Sequence, residues 1–260
     1  KGKQGSKPKA PKPLPPLTTE ELAELPELPE GWGWFTVSQL LAEDLCNGKS
    51  VKDRVGGFPV LRLNALGDGK IDLSVRKAGD WSETEARNYV VKDGDFLVSR
   101  GNGSKHLVGR GGFVHYKGQP AQTVAFPDTM IRVRLLDCAV NMSCFTFCWN
   151  SMLVRSQVEK SARTTAGIHK INQELLEAFL LPVPGLDEQS AIADFLSEKI
   201  AEADQLDQTH ATALQQSAAL RKSILKKAFG GQLVKQDKND EPASVLLERI
   251  RAEKLNGMKP

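Results

Sequence analysis

The sequence predicts an α+β fold, a mixed globular domain followed by a long coiled-coil helix. From Asp187 to Phe229 the chain runs forty-three residues without a proline or glycine, framed by Pro182, Pro184 and Gly185 before it and Gly230-Gly231 after it. That is the pattern of one uninterrupted helix. Upstream, short apolar segments alternate with turns rich in glycine, aspartate and asparagine, the pattern of strands.

At about 1.5 Å per residue the helix would be roughly 64 Å long. That is several times the average globular helix, too long to pack inside a domain of this size, so it must project and find a partner. Ile192, Leu206, Ala213 and Leu220 share one heptad position, interrupted by Lys199 and Lys227, and Leu196, Ala203, His210, Ser217 and Ile224 share the position four residues later. Alanine, serine and histidine let two helices approach closely with little buried area. Phe195, Ile200, Leu214 and Leu225 widen the stripe. The expected role is one half of an antiparallel helix pair acting as a rod, with Ile192, Leu196, Ala203, Leu206, His210, Ala213, Leu220 and Ile224 as its pairing residues. The competing reading, a surface helix lying on a globular core, would leave the helix overhanging that core.

The chain divides into four parts: 1–30, a linker and lead-in segment; 31–186, a mixed globular domain; 187–230, the long spacer helix; and 231–260, a tail with a short helix. Lysines 1, 3, 7, 9 and 12 form a basic, proline-containing start expected to be disordered. The following segment carries five glutamates and Leu22, Leu25 and Leu28, expected to lie along a groove of the folded part. In the tail, Pro242 suits a first helical turn, and Val245, Leu246, Leu247 and Ile250 give an apolar side.

Within the globular domain, Phe58 to Leu63 reads as a strand, Leu66-Gly-Asp-Gly69 as a turn and Lys70 to Val75 as the returning strand of a hairpin. Asp93-Gly94 precedes an apolar Phe96-Leu97-Val98, and Gly111-Gly112 precedes Phe113-Val114. Ser82 to Asn88, Met142 to Ser161 and Asn172 to Leu180 read as helical. No internal repeat is visible.

Composition narrows the function. With 260 residues and 40% hydrophobic content, the chain can bury a sizeable core. Its richest apolar stretch, Leu135 to Val154, is interrupted by Asp137, Asn141 and Asn150 and lacks the roughly twenty apolar residues that span a bilayer. Lys1 to Pro13 has no apolar core and does not read as a secretory signal. A cytoplasmic location without a membrane partner is expected. Cys46, Cys138, Cys144 and Cys148 show no C-x-x-C spacing and no neighbouring histidine, so they read most simply as small core residues, with a metal site as the weaker second reading, and no metal ligand is assigned.

The net charge of +3 conceals an uneven distribution: residues 31–186 hold 19 Lys and Arg against 15 Asp and Glu. That excess permits nucleic-acid binding without requiring it. Two loops concentrate polar chemistry. Ser99-Arg-Gly-Asn-Gly-Ser-Lys-His106 follows directly on an apolar strand, and its glycines allow close backbone approach. There Arg100, Asn102, Ser104, Lys105 and His106 offer phosphate-pairing charge and base-edge hydrogen bonds. The second loop, Ser161 to Lys170, combines Arg163, Thr164, Thr165, His169 and Lys170. Two basic, glycine-containing loops in one domain suggest a surface that grips DNA; an ordinary surface loop is the bland alternative for each.

Catalytic signatures are missing. Asn64 to Val75 contains Asp68-Gly69 but lacks the third-position acid and closing glutamate of a calcium loop. No G-x-S-x-G or H-E-x-x-H occurs. Pro127-Asp128 lacks the following acid and lysine of a nuclease site, and the methyltransferase pattern of Asn or Asp followed by two prolines and an aromatic is absent. The chain reads as a binder, not an enzyme.

In order and spacing, several segments resemble the specificity subunit of type I restriction-modification systems. Leu25-Pro-Glu-Leu-Pro-Glu-Gly-Trp32 resembles the start of its target recognition domain. Pro59-Val-Leu-Arg-Leu-Asn64, Gly94-Asp-Phe-Leu-Val-Ser-Arg100 and Leu107-Val-Gly109 resemble inner motifs, and Gly167-Ile-His-Lys-Ile-Asn172, Leu181-Pro-Val-Pro184 and Glu188-Gln189 its exit into the long helix. Leu220 to Val234 resembles that helix's end. The resemblance covers nearly the whole chain, but a full family member carries two recognition domains and two long helices. This sequence has one of each, either as half of a longer subunit or as a natural half-subunit that dimerises through its helix.

The resemblance implies a non-catalytic, sequence-specific DNA-binding subunit that reads one half-site of a split target in double-stranded DNA, while the rod fixes the spacing. Its implied partners are modification (methyltransferase) subunits, a restriction (translocase/nuclease) subunit, and a second copy or other half through the long helix. No cofactor is expected in this chain; S-adenosylmethionine, ATP and Mg are expected on the partner subunits. The loops Arg100 to His106 and Arg163 to Lys170 are the expected DNA contacts, with Arg62 and Asn64 as a third element. Two other readings compete, the recognition fragment of a split single-chain DNA methyltransferase and a structural coiled-coil adaptor. The rod and tail speak against the first, the large domain against the second.

Overall fold

A computed structural model describes residues 17–116, 123–161, 163–165 and 168–256. The basic start of the chain, expected to be disordered, lies outside them. The chain separates into two compact units, one running to Ser197 and one from Glu198. The architecture is mixed α and β with one long helix, as the sequence predicts.

The first unit begins with a short helix, α1 (Thr19–Ala23), within the expected linker, followed by β1 (Gly33–Thr36) and α2 (Val37–Leu40). Leu25 and Leu28 are half-buried while Leu22 is exposed, so the leucines are only partly covered. Next come β2 (Cys46–Asn47), β3 (Asp53–Leu61), β4 (Arg76–Gly79), α3 (Glu83–Ala86), β5 (Phe96–Ser99), β6 (Gly101–Asn102), β7 (Gly111–Phe113) and β8 (Met130–Val133). The unit continues through α4 (Met142–Asn150), α5 (Met152–Ser161), β9 (Arg163–Thr165), β10 (Ile168–Lys170), α6 (Gln173–Glu177) and β11 (Leu180–Val183) into the start of α7 (Leu186–Phe229).

A four-stranded antiparallel sheet, in the order β2-β8-β5-β7, organises this unit. Alternation along β5 sends Phe96 and Val98 to one core and Leu97 to another. The first core packs them with Ile131, Val133, Phe145, Trp149, Val154 and Val158 under α4 and α5. Phe96 meets Phe145 and Trp149 edge-on, with ring centroids 5.0 and 5.7 Å away. The second core joins Leu97 and Met130 to Leu61, Val91, Val124 and Phe126.

The hairpin differs from expectation. β3 pairs not with Lys70 to Val75 but with β4, in a register that sets Phe58 opposite Gly79 and Leu61 opposite Arg76. The intervening segment turns inward because its apolar residues are used elsewhere. Leu66, Ile71 and Leu73 pack into the second core, and the Ile71 N–H donates to the Phe113 carbonyl at 3.1 Å.

Gly111-Gly112 do not merely precede a strand; they are most of β7. A Cβ on Gly111 would lie 2.2 Å from the Phe96 ring and 2.8 Å from Trp149, so only glycine lets this strand cross the aromatic cluster. The helical stretch from Met142 to Ser161 is two helices. Asn141 caps the first by accepting from the Cys144 N–H at 3.1 Å, and Ser151, in extended conformation, breaks it. On α4, burial and then the Cys144 thiol push the Cys148 thiol up to about 12. The expected helix to Leu180 ends at Glu177, because Leu180 to Val183 are taken by β11.

β1 and β11 form a two-stranded antiparallel sheet, Gly33 opposite Val183 and Thr36 opposite Leu180. The domain's two ends are thus tied together. Gln189, 2% exposed on the first turns of α7, accepts from the Asn141 N–H at 2.7 Å and donates to the carbonyls of Pro184 and Ala139 at 2.9 and 3.0 Å. A buried amide with its capacity so fully used ties the first turns of α7 to the segments around Ala139 and Pro184.

α7 spans 44 residues, starting at Leu186, one residue before the expected helix from Asp187. Of the expected pairing residues, Ile192 and Leu196 are half-buried, whereas Ala203, Leu206, His210, Ala213, Leu220 and Ile224 are exposed. In the second unit, α8 (Ala243–Asn256) begins directly after Pro242, and Val245, Leu246, Leu247 and Ile250 are exposed. Among the described residues no helix is long and apolar enough to cross a membrane, and no cluster of three or more His, Cys, Asp or Glu is placed to hold a metal ion.

Candidate nucleic-acid interface

The two polar loops, some sixty residues apart in sequence, meet in one small sheet. Its order is β6-β10-β9, antiparallel throughout. His169 lies opposite Asn102 on one side and Thr164 on the other; Lys170 lies opposite Gly101 and Arg163. Thr165 pairs with Ile168. A single backbone scaffold therefore carries Asn102, Arg163, Thr164, Thr165, His169 and Lys170.

Arg100 anchors this scaffold to the main sheet. Its N–H donates to the Thr129 carbonyl at 2.8 Å and its carbonyl accepts from the Ile171 N–H at 3.0 Å. Its guanidinium reaches the Asp128 carbonyl only at 3.5 Å, the limit of a hydrogen bond, which leaves most of its charge uncommitted. Asn102 Oδ1 accepts from the Ser104 N–H at 3.0 Å, a local turn that leads into a short 3-10 turn at Lys105–Leu107. Lys105 and His106 are exposed on it, and Ser104 is half-buried.

The loop is held from beneath by residues that the sequence reading passed over. Arg155 on α5, 8% exposed, donates to the Val108 carbonyl and, at 3.3 Å, to the Lys105 carbonyl. Burial lowers its pKa; the Glu159 carboxylate 3.8 Å away counters this and Arg110 adds to it. Trp149 Nε1 donates to the Gly109 carbonyl at 2.8 Å. Asn150 accepts from the Gly111 N–H and donates to its carbonyl, at 3.2 and 2.8 Å. A signal for Arg155 existed: it stands next to Val154 and three residues before Val158, both core positions, so a helix would carry it towards buried backbone.

Beside the small sheet opens a cleft of about 640 Å³. Arg62, Asn64 and Asn102, all expected site residues, line it together with Ser99, Lys77, Arg110, Asp68, Asp128 and Thr129. Its apolar walls include Leu61, Leu63, Leu66, Leu107 and Pro127. Lys77 lies 2.6 Å from Asp53 and Arg62 lies 3.8 Å from it; the hydrogen bond from Lys77, reinforced by both positive charges, holds that carboxyl below its usual range. Arg110 and Asp68 are 3.8 Å apart. The structure thus places Arg62 and Asn64 in one cleft with Asn102, while Lys105 and His106 stand on the neighbouring turn.

At the opposite end of the β5-β8 pair from Ser99 and Met130, Arg134 binds Asp95 through Nε and Nη2, at 2.6 and 3.2 Å, and Glu43 through Nη1 at 2.7 Å. Burial opposes its charge, but these two acids outweigh burial and raise its pKa. Asp95 is 2% exposed, so this network is a structural clamp between β5, β8 and the segment after α2.

The family model of the type I restriction modification DNA specificity domain matches residues 29–216. The chain belongs to the type I restriction-modification specificity family. It is 31% identical over 221 residues to the specificity subunit of the type I restriction enzyme EcoKI of Escherichia coli K12, an alignment covering 81% of this chain and 47% of that protein. To the StySPI specificity subunit of Salmonella potsdam it is 30% identical over 233 residues, covering 85% of this chain and 50% of that protein. This member of the specificity family thus spans about half the length of the curated relatives it matches. The fold is similar to that of the HsdS subunit from Thermoanaerobacter tengcongensis, with a TM-score of 0.54 at 20% identity, over 80% of this chain and 47% of that one. It is also similar to a chain in a structure of the type I R-M system, with a TM-score of 0.61 at 20% identity, over 80% of this chain and 48% of that one.

Proposed function

We propose that the chain is a non-catalytic, sequence-reading component of a type I restriction-modification complex in the cytoplasm, where its domain recognises one half-site of a split target in double-stranded DNA. The observation that carries this reading is the meeting of two distant polar loops in the β6-β10-β9 sheet, next to a cleft lined by Arg62 and Asn64. A β-ribbon fits the major groove, where all four base pairs are distinguishable, and β9 and β10 are antiparallel strands of this kind. Arg100, Asn102, Ser104, Lys105, His106, Arg163, Thr164, Thr165, His169 and Lys170 supply the phosphate and base contacts, with Arg62 and Asn64 at the cleft.

The exposed seam of α7 pairs with the same helix in a second copy, or with the corresponding helix of another half, and sets the distance between two half-sites. Supporting this, Leu206 and Leu220 remain 55% and 62% exposed in the single chain. Modification subunits with S-adenosylmethionine and a restriction subunit with ATP and Mg dock on this framework and do the chemistry. Genome-wide mapping of methylated adenine in the source cell, with and without the gene for this chain, tests the reading. Loss of one bipartite methylated motif is expected; an unchanged methylation map would overturn it.

A further inference from the structure

The polar cleft beside the small sheet contains two groups whose hydrogen-bonding capacity nothing in the fold uses. One is the carboxylate of Asp128. Among the described residues it makes no hydrogen bond and no ion pair, although the residue is half-buried and its backbone is secured: its carbonyl accepts from Arg100, and Met130 N–H closes the turn onto the Pro127 carbonyl at 3.0 Å. The other is the hydroxyl of Ser99. Ser99 is 2% exposed, lies opposite Met130 in the sheet, and its Oγ is buried with no hydrogen-bond partner among the described residues.

The neighbouring acids behave differently. Asp68 lies 3.8 Å from Arg110, and Asp53 is shared by Lys77 and Arg62. Among the described residues that line the cleft, Asp128 is the acid without an ion pair. On a surface that receives a polyanion such a charge repels the phosphates. It becomes favourable where it accepts a hydrogen bond from the one kind of donor that base edges offer to a carboxylate, an exocyclic amino group.

We propose that Asp128 is a specificity-determining residue, whose carboxylate, in the same cleft as the unpartnered Ser99 hydroxyl, reads the amino group of a cytosine (N4) or an adenine (N6) at one position of the half-site. This deepens the DNA-reading function proposed above and rests on it. Asn64 and Asn102 in the same lining flank the base, and Arg62, Lys77 and Arg110 line the same cleft.

The test uses the full chain and a duplex that it selects from a randomised pool. Each cytosine in turn is replaced by 2-pyrimidinone and each adenine by purine, analogues that lack the amino group. At one position the wild-type chain should lose roughly tenfold or more in affinity. The analogue responsible tells cytosine from adenine. In Asp128→Ala the same analogue should cost nothing further, while preferences at the other positions persist. Indifference of the wild-type chain to every analogue would overturn the proposal and leave DNA reading intact. So would an Asp128→Ala chain that binds all duplexes uniformly tighter with unchanged preferences, the behaviour of a merely repelling charge. If the wild-type chain selects no sequence at all, the DNA-reading function itself fails and this proposal falls with it.

Discussion

The guanidinium of Arg155 on α5 donates through Nη2 to the carbonyl of Lys105, 3.3 Å away, and through Nη1 to that of Val108. A buried cation thus shapes a loop whose exposed side chains face outwards. Arg155→Met keeps much of the side-chain volume but leaves both carbonyls without this donor. It should cost about 1–3 kcal/mol of stability, the penalty of unsatisfied buried acceptors. Urea denaturation measures this, and DNA affinity should fall in parallel because Lys105 and His106 lose their fixed placement. A variant as stable as the parent would show that the contact does not brace the loop.

Charge removal on the loop itself should act differently. Arg100→Gln combined with Lys105→Gln should weaken DNA binding and flatten its dependence on salt. Each lost phosphate contact reduces the slope of log affinity against log salt by roughly 0.9. Fluorescence anisotropy across a salt series reads both effects; affinity and slope identical to the parent would exclude these side chains from the interface.

The seam of α7 makes a metrical prediction. Deleting one heptad, for instance residues 203–209, should shorten the rod by about 10 Å. At about 3.4 Å per base pair, the gap between half-sites should contract by roughly three base pairs while the half-site sequence stays the same. Methylation-motif sequencing of cells carrying the variant measures the gap. A changed half-site with an unchanged gap would contradict the division of labour between domain and helix.

Glu177 on α6 gives a pH-dependent prediction. Burial, then the nearby Asp44 and Glu174 charges, raise its pKa. A carboxyl with a higher pKa folded than unfolded binds its proton more tightly in the native state. Its charge therefore subtracts stability above the folded pKa, and that loss is recovered as pH falls through the folded pKa towards the unfolded value. Glu177→Gln should accordingly be more stable than the parent at pH 7, with the difference vanishing below about pH 4. Thermal melts at both pH values check the sign.

The legible parts of this fold were those set by local pattern. The absence of proline and glycine over forty-three residues was enough to place α7 to within a residue. The apolar run before Ser99 announced β5 for the same kind of reason. What escaped the sequence depended on contacts between distant segments. Lys70 to Val75 has the alternation of a strand, yet the second core draws in Ile71 and Leu73, and the partner of β3 is β4 instead. Gly111-Gly112 reads only as the residues before Phe113-Val114; pairing with Leu97 and Val98 makes it a strand, and the Phe96 and Trp149 rings pressed against Gly111 require glycine there.

The candidate site divides the same way. Both polar loops stood out by residue type, and Arg62 with Asn64 by their place in a motif. Their convergence did not, because pairing of β6 with β10 joins residues some seventy positions apart. Arg155 could be placed on a buried helix face by its spacing from Val154 and Val158, but its carbonyl partners could not, and Ser99 and Asp128 gain their roles only from what surrounds them in space. In sequence Pro127-Asp128 lacks the following acid and lysine of a nuclease site, and only the fold places Asp128 in the cleft without an ion pair among the described residues.

The central claim is that this chain carries sequence preference in its own globular domain. Repeated selection of double-stranded DNA from a randomised pool by the purified chain, followed by sequencing, tests it most directly. Enrichment of a short half-site, alone or as a twofold-related pair at fixed spacing, is the predicted result; a folded chain that enriches no motif over the starting pool would contradict the account.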